Sequence, residues 1–213
     1  VTPDGQRTMN TFLGVSPQLS EDEIDASLIG SARIVYLEGY LFDRPEAKAA
    51  FRTAARIAVD AGRRVALSLS DAFCVNRHRA EFLDFIRSTV DILIANEAEI
   101  TALYQVATFE QAAMLVQGDS KLAALTRSEK GSVILCAGAA PIVTPAAPVA
   151  AVIDTTGAGD LYAAGLLYGI SKELELVMAG RLGSLAAAEI IGQLGARPAV
   201  SLARRARTEG LIP

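Results

Sequence analysis

"DTTGAGD" occupies residues 154–160, between the apolar run "VAAVI" and the helix-like run "LYAAGLLYGI". Its reading decides the fold. A strand that enters and a helix that leaves through one tight turn form the building unit of open α/β sheets, and ligands gather at the carboxyl ends of such strands. Gly157 and Gly159 let the backbone approach a ligand with no Cβ in the way. The N–H groups of Gly157, Ala158 and Gly159 sit where the next helix begins, which makes an anion site. Asp160 would repel an anion, so its place there calls for a second task. A carboxylate beside a transferring phosphoryl group can accept the proton of an attacking hydroxyl. The same residues also suit a plain capped turn, with Asp160 as a first-turn acid and Asp154 closing the strand.

Outward from the turn, strand-like runs alternate with amphipathic helices. "ARIVYLEGY", "RRVALSLS", "VDILIAN" and "KLAALTRS" read as strands, and "GSVILCAG" with "APIVTPAAP" reads as a hairpin. "VAAVID" reads as one more strand. Pro45 and Gly62 bracket a helix in the start and stop positions those residues favour, and Thr108 caps another. The last long helix, around residues 173–195, carries Gly180 and Gly183 and is expected to break there. Several strands are continuous apolar runs, as expected when both sheet faces are covered. The pattern predicts a doubly wound, mostly parallel α/β sheet. Residues 1–20 read instead as a strand or hairpin already in progress, and residues 21–213 as the α/β core. That start suggests the C-terminal portion of a longer protein.

Composition excludes several classes. About half of the 213 residues are hydrophobic and the formal net charge is −4, with no basic surface for nucleic acid or membrane. No apolar run reaches the roughly 18 residues that span a bilayer. Cys74 and Cys136 lack CxxC spacing, which argues for a reducing cytoplasm. His78 is the single histidine, and no G-x-S-x-G elbow accompanies it. A Walker lysine is absent, and Tyr162 stands where a dinucleotide fingerprint needs its third glycine.

These residues resemble the PfkB, or ribokinase-like, family of carbohydrate and nucleoside kinases. "DTTGAGD" followed by "LYAAGLLYG" is similar to the family's C-terminal signature, and "ANEAEI" (95–100) to its N-x-x-E element. "TRSEKG" (126–131) resembles its nucleotide-phosphate loop, and "GSLAAAEIIGQLGARP" its adenine-flanking helix and following turn. "RTMNTFLG" is most similar to a lid-adjacent strand of the adenosine-kinase-like branch.

The resemblance implies ATP-dependent phosphorylation of the primary hydroxyl of a sugar or nucleoside. Asp160 would be the base, and Gly157, Ala158 and Gly159 the anion hole. Asn96 and Glu99 would organise Mg²⁺ through water. Thr126, Ser128 and Gly131 would touch ATP phosphates or ribose, and Ser184 would face adenine. Asp154 and Thr156 match positions that hold a monovalent cation such as K⁺. Arg7 would reach the transferred phosphate. Adenosine stands ahead of ribose, fructose or a keto-deoxy sugar acid as acceptor. The family's acceptor-binding front and most of its lid strands, through which a homodimer would form, have no counterpart here, so this chain alone is expected to be inactive. A non-catalytic nucleotide-binding module of the same fold is the competing reading.

Overall fold

The computed structural model describes residues 1–213. Its strands are β1 (Ile34–Glu38), β2 (Arg64–Ser68), β3 (Ile92–Asn96), β4 (Leu122–Thr126), β5 (Ser132–Cys136) and β6 (Ile142–Thr144). They form one sheet whose order follows the chain, β1-β2-β3-β4-β5-β6, with no reversal. β1 pairs with β2 and β2 with β3 in parallel, while β5 and β6 make the antiparallel hairpin read from the sequence. The helices are α1 (Ala26–Ser31), α2 (Pro45–Asp60), α3 (Ala72–Ser88), α4 (Glu97–Tyr104), α5 (Phe109–Asp119), α6 (Ala158–Ser171), α7 (Leu176–Ile191) and α8 (Leu202–Thr208). The architecture is a mixed α/β one built on a mostly parallel sheet.

The chain divides into two compact units. One holds Phe12–Leu125 and Leu135–Pro141; the other holds Val1–Thr11, Thr126–Ile134 and Ile142–Pro213. In the first, four consecutive residues of β3, Ile92 to Ala95, are buried, as a strand covered on both faces requires. Pro45 opens α2 at its first turn, and Gly62 follows it with φ +68°. Asn96 and Thr108 cap α4 and α5, each answered three residues on by Glu99 and Gln111. Phe42, Phe51 on α2 and Phe82 on α3 form a buried aromatic cluster; Phe42 stacks on Phe82 at 4.3 Å and meets Phe51 edge-on at 4.8 Å. Each such ring contributes on the order of 1.5–3 kcal/mol by burial.

In the second unit α6 and α7 lie in close contact, and glycines permit it. A Cβ at Gly165 would fall 2.4 Å from the Leu182 carbonyl oxygen, and one at Gly169 would fall 2.7 Å from Ala179 Cα. Gly180 and Gly183 have the same task. A Cβ at Gly183 would meet the Tyr162 ring at 2.9 Å, and one at Gly180 the Thr144 hydroxyl at 2.6 Å. The break expected at these two glycines is therefore absent, and α7 runs unbroken through them. Neighbouring side chains fit where a helix with larger residues would collide, and this packing outweighs the weak helix propensity of glycine.

Two further expectations are corrected. "VAAVID" forms no strand. The N–H groups of Ile153 and Asp154 both go to the Ile191 carbonyl, and that of Thr155 goes to Gly5, so the segment belongs to no strand ladder. Its β-branched residues are largely exposed, with Val152 and Ile153 more than two-fifths accessible. Residues 1–20 likewise contain no strand, "RTMNTFLG" included. A turn closed by Thr2, Gly5 and Gln6 lies where a hairpin is expected, because its polar groups bond one another and the 155 region.

Candidate active site

Gly157 opens α6 in the left-handed region, at φ +81°. A side chain there would be strained, and its Cβ would lie 3.0 Å from Ala196 Cβ. Gly157 is thus needed for the turn itself. Gly159 is different. Its φ is ordinary and an added Cβ would meet nothing within 4 Å. Glycine in a helix costs up to about 1 kcal/mol relative to alanine, so nothing in the folding of this turn calls for it. The open space above Gly159 is a cradle that a side chain would fill.

The N–H groups of Gly157 and Gly159 have no protein acceptor, whereas that of Ala158 is directed to the Thr155 carbonyl at 3.2 Å. Two free donors at a helix N-terminus are the physical requirement for holding an anion. Asp160 stands in the same first turn, exposed, with no hydrogen bond or ion pair to any protein group. It is not the helix cap; Gly157 holds that position without a side-chain bond.

Asp154 is the opposite case. It is 4% exposed, and its two oxygens are engaged. Oδ1 accepts from the Thr156 hydroxyl at 2.5 Å and the Thr156 N–H at 2.9 Å, and Oδ2 accepts from the Gly195 N–H at 2.9 Å. These donors, the Thr156 hydroxyl first, lower its pKa to about 2. Thr155 adds a second fastening, giving its N–H and hydroxyl to the Gly5 carbonyl at 3.0 and 3.1 Å. Arg7 is exposed, two residues beyond that carbonyl, with no protein partner.

A cavity of about 600 Å³ lies in the same unit. Its walls include Pro148 and Ile153 from the extended segment, and Ser184, Glu189 and Gln193 from α7 and its end. Ser184, expected to face adenine, is one of the residues lining this cavity. Thr126, Ser128 and Gly131 form one tight loop in which Ser128 adopts φ +52°, and the Arg127 N–H donates to the Gly131 carbonyl at 2.7 Å. Gly131 has a packing reason of its own, since a Cβ there would lie 2.1 Å from the Thr144 carbonyl oxygen.

Asn96 and Glu99 belong to the other unit. Asn96 ends β3 and is joined to Glu99 three ways. The Asn96 N–H and Nδ2 donate to the Glu99 carboxylate at 2.9 and 2.6 Å, and Asn96 Oδ1 accepts from the Glu99 N–H at 2.8 Å. The pair is a capping box. Yet Glu99 is buried, and burial, aided by the charges of Asp71 and Glu38, raises its pKa to about 7. Two neighbouring carboxylates are more than a cap needs. The donor set is all hard oxygen, which suits Mg²⁺.

Sequence reasoning missed Glu38, which ends β1 as Asn96 ends β3, and Ser70 and Asp71, which lie just beyond β2. Ser70 holds φ +66° and donates its hydroxyl to Glu38 at 2.5 Å while accepting the Gly39 N–H at 2.8 Å. Positive φ in a serine stores strain of the kind found at functional sites. The signal was available as polar residues at the carboxyl ends of successive strands.

A mostly parallel α/β sheet thus carries two free N–H groups at a helix N-terminus and an unpartnered carboxylate on that helix's first turn. The sequence matches the pfkB family carbohydrate kinases over residues 1–202, and the chain belongs to that family. It is 28% identical over 202 residues to the uncharacterized sugar kinase YegV of Escherichia coli, a match covering 92% of this chain and 60% of that protein. Among solved structures, a probable sugar kinase from Rhizobium etli shares 46% identity at a TM-score of 0.97, covering all of this chain and 64% of the other. An adenosine kinase from Sinorhizobium meliloti shares 48% identity at a TM-score of 0.95, covering 98% and 64%. The chain thus spans 60–64% of the length of these relatives. No helix is long and apolar enough to cross a membrane.

Proposed function

We propose that the protein transfers the γ-phosphoryl group of ATP to the primary hydroxyl of a nucleoside or sugar. The observation that carries this reading is the pairing of an unpartnered Asp160 carboxylate with the free Gly157 and Gly159 N–H groups, with open space at Gly159. Asp160 takes the proton of the acceptor hydroxyl. The two glycine N–H groups, joined by Ala158 from its long bond to Thr155, meet the charge on the transferring group. Such fixed donors cost no reorganisation during the reaction, which is why they contribute so much to phosphoryl transfer.

ATP is assigned to the glycine-turn unit, with adenine in the 600 Å³ cavity beside Ser184. The loop of Thr126, Ser128 and Gly131 and the cation of Arg7 are assigned to its phosphates. Asn96 and Glu99 would hold Mg²⁺ through water, and the ion when bound neutralises phosphate charge. Asp154 and Thr156, implied as a monovalent-cation pair, are also the fastening of the turn; a K⁺ ion would use lone pairs left on the same oxygens. Adenosine leads as acceptor because the adenosine kinase from Sinorhizobium meliloti is 48% identical. Ribose, fructose and keto-deoxy sugar acids follow.

The test is ADP release by the protein expressed from its complete reading frame, against a panel of nucleosides and sugars. A stimulating acceptor supports the reading. ATP binding with no acceptor-stimulated release would instead favour a nucleotide-binding module.

A further inference from the structure

A second cluster of ligand-type side chains lies in the unit of β1 to β4, and it differs in chemistry from the oxygen-rich Asn96–Glu99 pair. Cys74 and His78 are four residues apart on α3 and so share a face. Asp43, which ends the 3-10 turn Gly39–Asp43, faces them. Its Oδ1 lies 2.9 Å from His78 Nε2 and 3.9 Å from Cys74 Sγ, and the three atoms all fall within 4.8 Å of one another. Ligand atoms around a tetrahedral zinc ion stand about 3.3–3.8 Å apart, as bond lengths of roughly 2.0–2.3 Å require. The observed spacings bracket that range, so small side-chain rotations complete the set.

Three features support a ligand here. The backbone of α3 leaves helical geometry at His78, with φ −120° and ψ 21°. The other ring nitrogen, Nδ1, lies 3.8 Å from Glu81 Oε1, an oxygen that already accepts from Lys48 Nζ at 2.7 Å; a small shift would let this carboxylate orient a ligating imidazole. Cys74 is fully buried, whereas Asp43 is well exposed, so an ion would have a dry inner side and an open outer one. A thiol this deep is shielded from oxidants, which disfavours a redox role. One group competes. Arg77 spans Asp43 through Nε to Oδ1 at 3.0 Å and Nη2 to Oδ2 at 2.7 Å. Its side chain is half exposed and can keep Oδ2 while yielding Oδ1.

We propose that Asp43, Cys74 and His78 form a site for a thiophilic divalent ion of the zinc type, with water in the fourth position. A sulfur and an imidazole select such an ion over Mg²⁺. Binding forms bonds from the metal to Sγ, Nε2 and Oδ1. It releases the Cys74 thiol proton to solvent and leaves the neutral imidazole proton on Nδ1.

Cobalt(II), added to the whole protein, is the probe. The expected result is a thiolate-to-cobalt charge-transfer band with tetrahedral visible bands, both removed by competing Zn²⁺. Cys74→Ser should abolish the charge-transfer band and His78→Gln should weaken or shift it, while Cys136→Ser should leave it intact. Arg77→Gln should tighten binding several-fold, which a purely structural ion pair would not do. If Cys74→Ser does not fold, His78→Gln and Arg77→Gln decide the matter. Absence of a thiolate band, its survival in Cys74→Ser, or its loss in Cys136→Ser alone would overturn the proposal. Cobalt bound by oxygen ligands at Asn96–Glu99 gives no such band.

Discussion

The Gly195 N–H donates to Asp154 Oδ2 at 2.9 Å, tying the glycine turn to a loop 41 residues later in the chain. The bond fixes the entry to α6, and with it the position of Asp160. Donors at both oxygens hold the Asp154 pKa at about 2, below its usual 3.8. A group lowered on folding stabilises the fold above its unfolded pKa and stops doing so as pH falls through the folded one. Asp154→Asn is therefore expected to lower the urea midpoint at neutral pH. The gap to wild type should narrow as pH falls from about 4 toward 2, read by denaturation curves at each pH.

Gly159 and Gly157 should separate stability from activity. Gly159→Ala meets no atom within 4 Å and is expected to stabilise the fold by roughly 0.5–1 kcal/mol. It should nevertheless cut phosphoryl transfer at least tenfold, because the methyl fills the cradle. Gly157→Ala should lose both, since positive φ and Ala196 oppose it. Thermal melts paired with ADP release on both variants check this.

Glu99 gives the opposite pH signature to Asp154. Its folded pKa of about 7 lies above the usual 4.5, so its contribution is fully present below 4.5 and lost as pH rises through 7. The loss is on the order of 3 kcal/mol. Stability measured in the absence of divalent ions should fall across this window, and Mg²⁺ should restore part of it at pH 8. Glu99→Gln should flatten the slope.

Gly165→Ala tests the α6–α7 contact. Its methyl would sit 2.4 Å from the Leu182 carbonyl oxygen, so the helices must part, at a cost of roughly 1–3 kcal/mol. A lowered melting temperature with unchanged helical circular dichroism is the expected result.

Local chemistry was legible in the sequence where neighbours in the chain are partners in space. Pro45, Gly62, Thr108 and the apolar runs of β1 to β4 act within their own turns and strands. The glycine turn was legible for the same reason, since Gly157, Gly159 and Asp160 form one helix start. What was not legible depends on distant partners. "VAAVID" carries strand residues, but its donors are taken by Ile191 and Gly5. Gly180 and Gly183 look like helix breakers until Thr144 and Tyr162 are seen against them. The strained Ser70 and its bond to Glu38 join residues 32 apart. The meeting of Asp43 with Cys74 and His78 is of the same kind.

The central claim is that Asp160 is the base. The most direct measurement is kcat for ADP release with the best acceptor, comparing wild type with Asp160→Asn. Asp160 is exposed and unpartnered, so the variant should fold with unchanged stability. The expected loss of kcat is about 10²–10⁴-fold. A variant that folds, binds ATP and keeps most of the wild-type turnover would contradict the assignment.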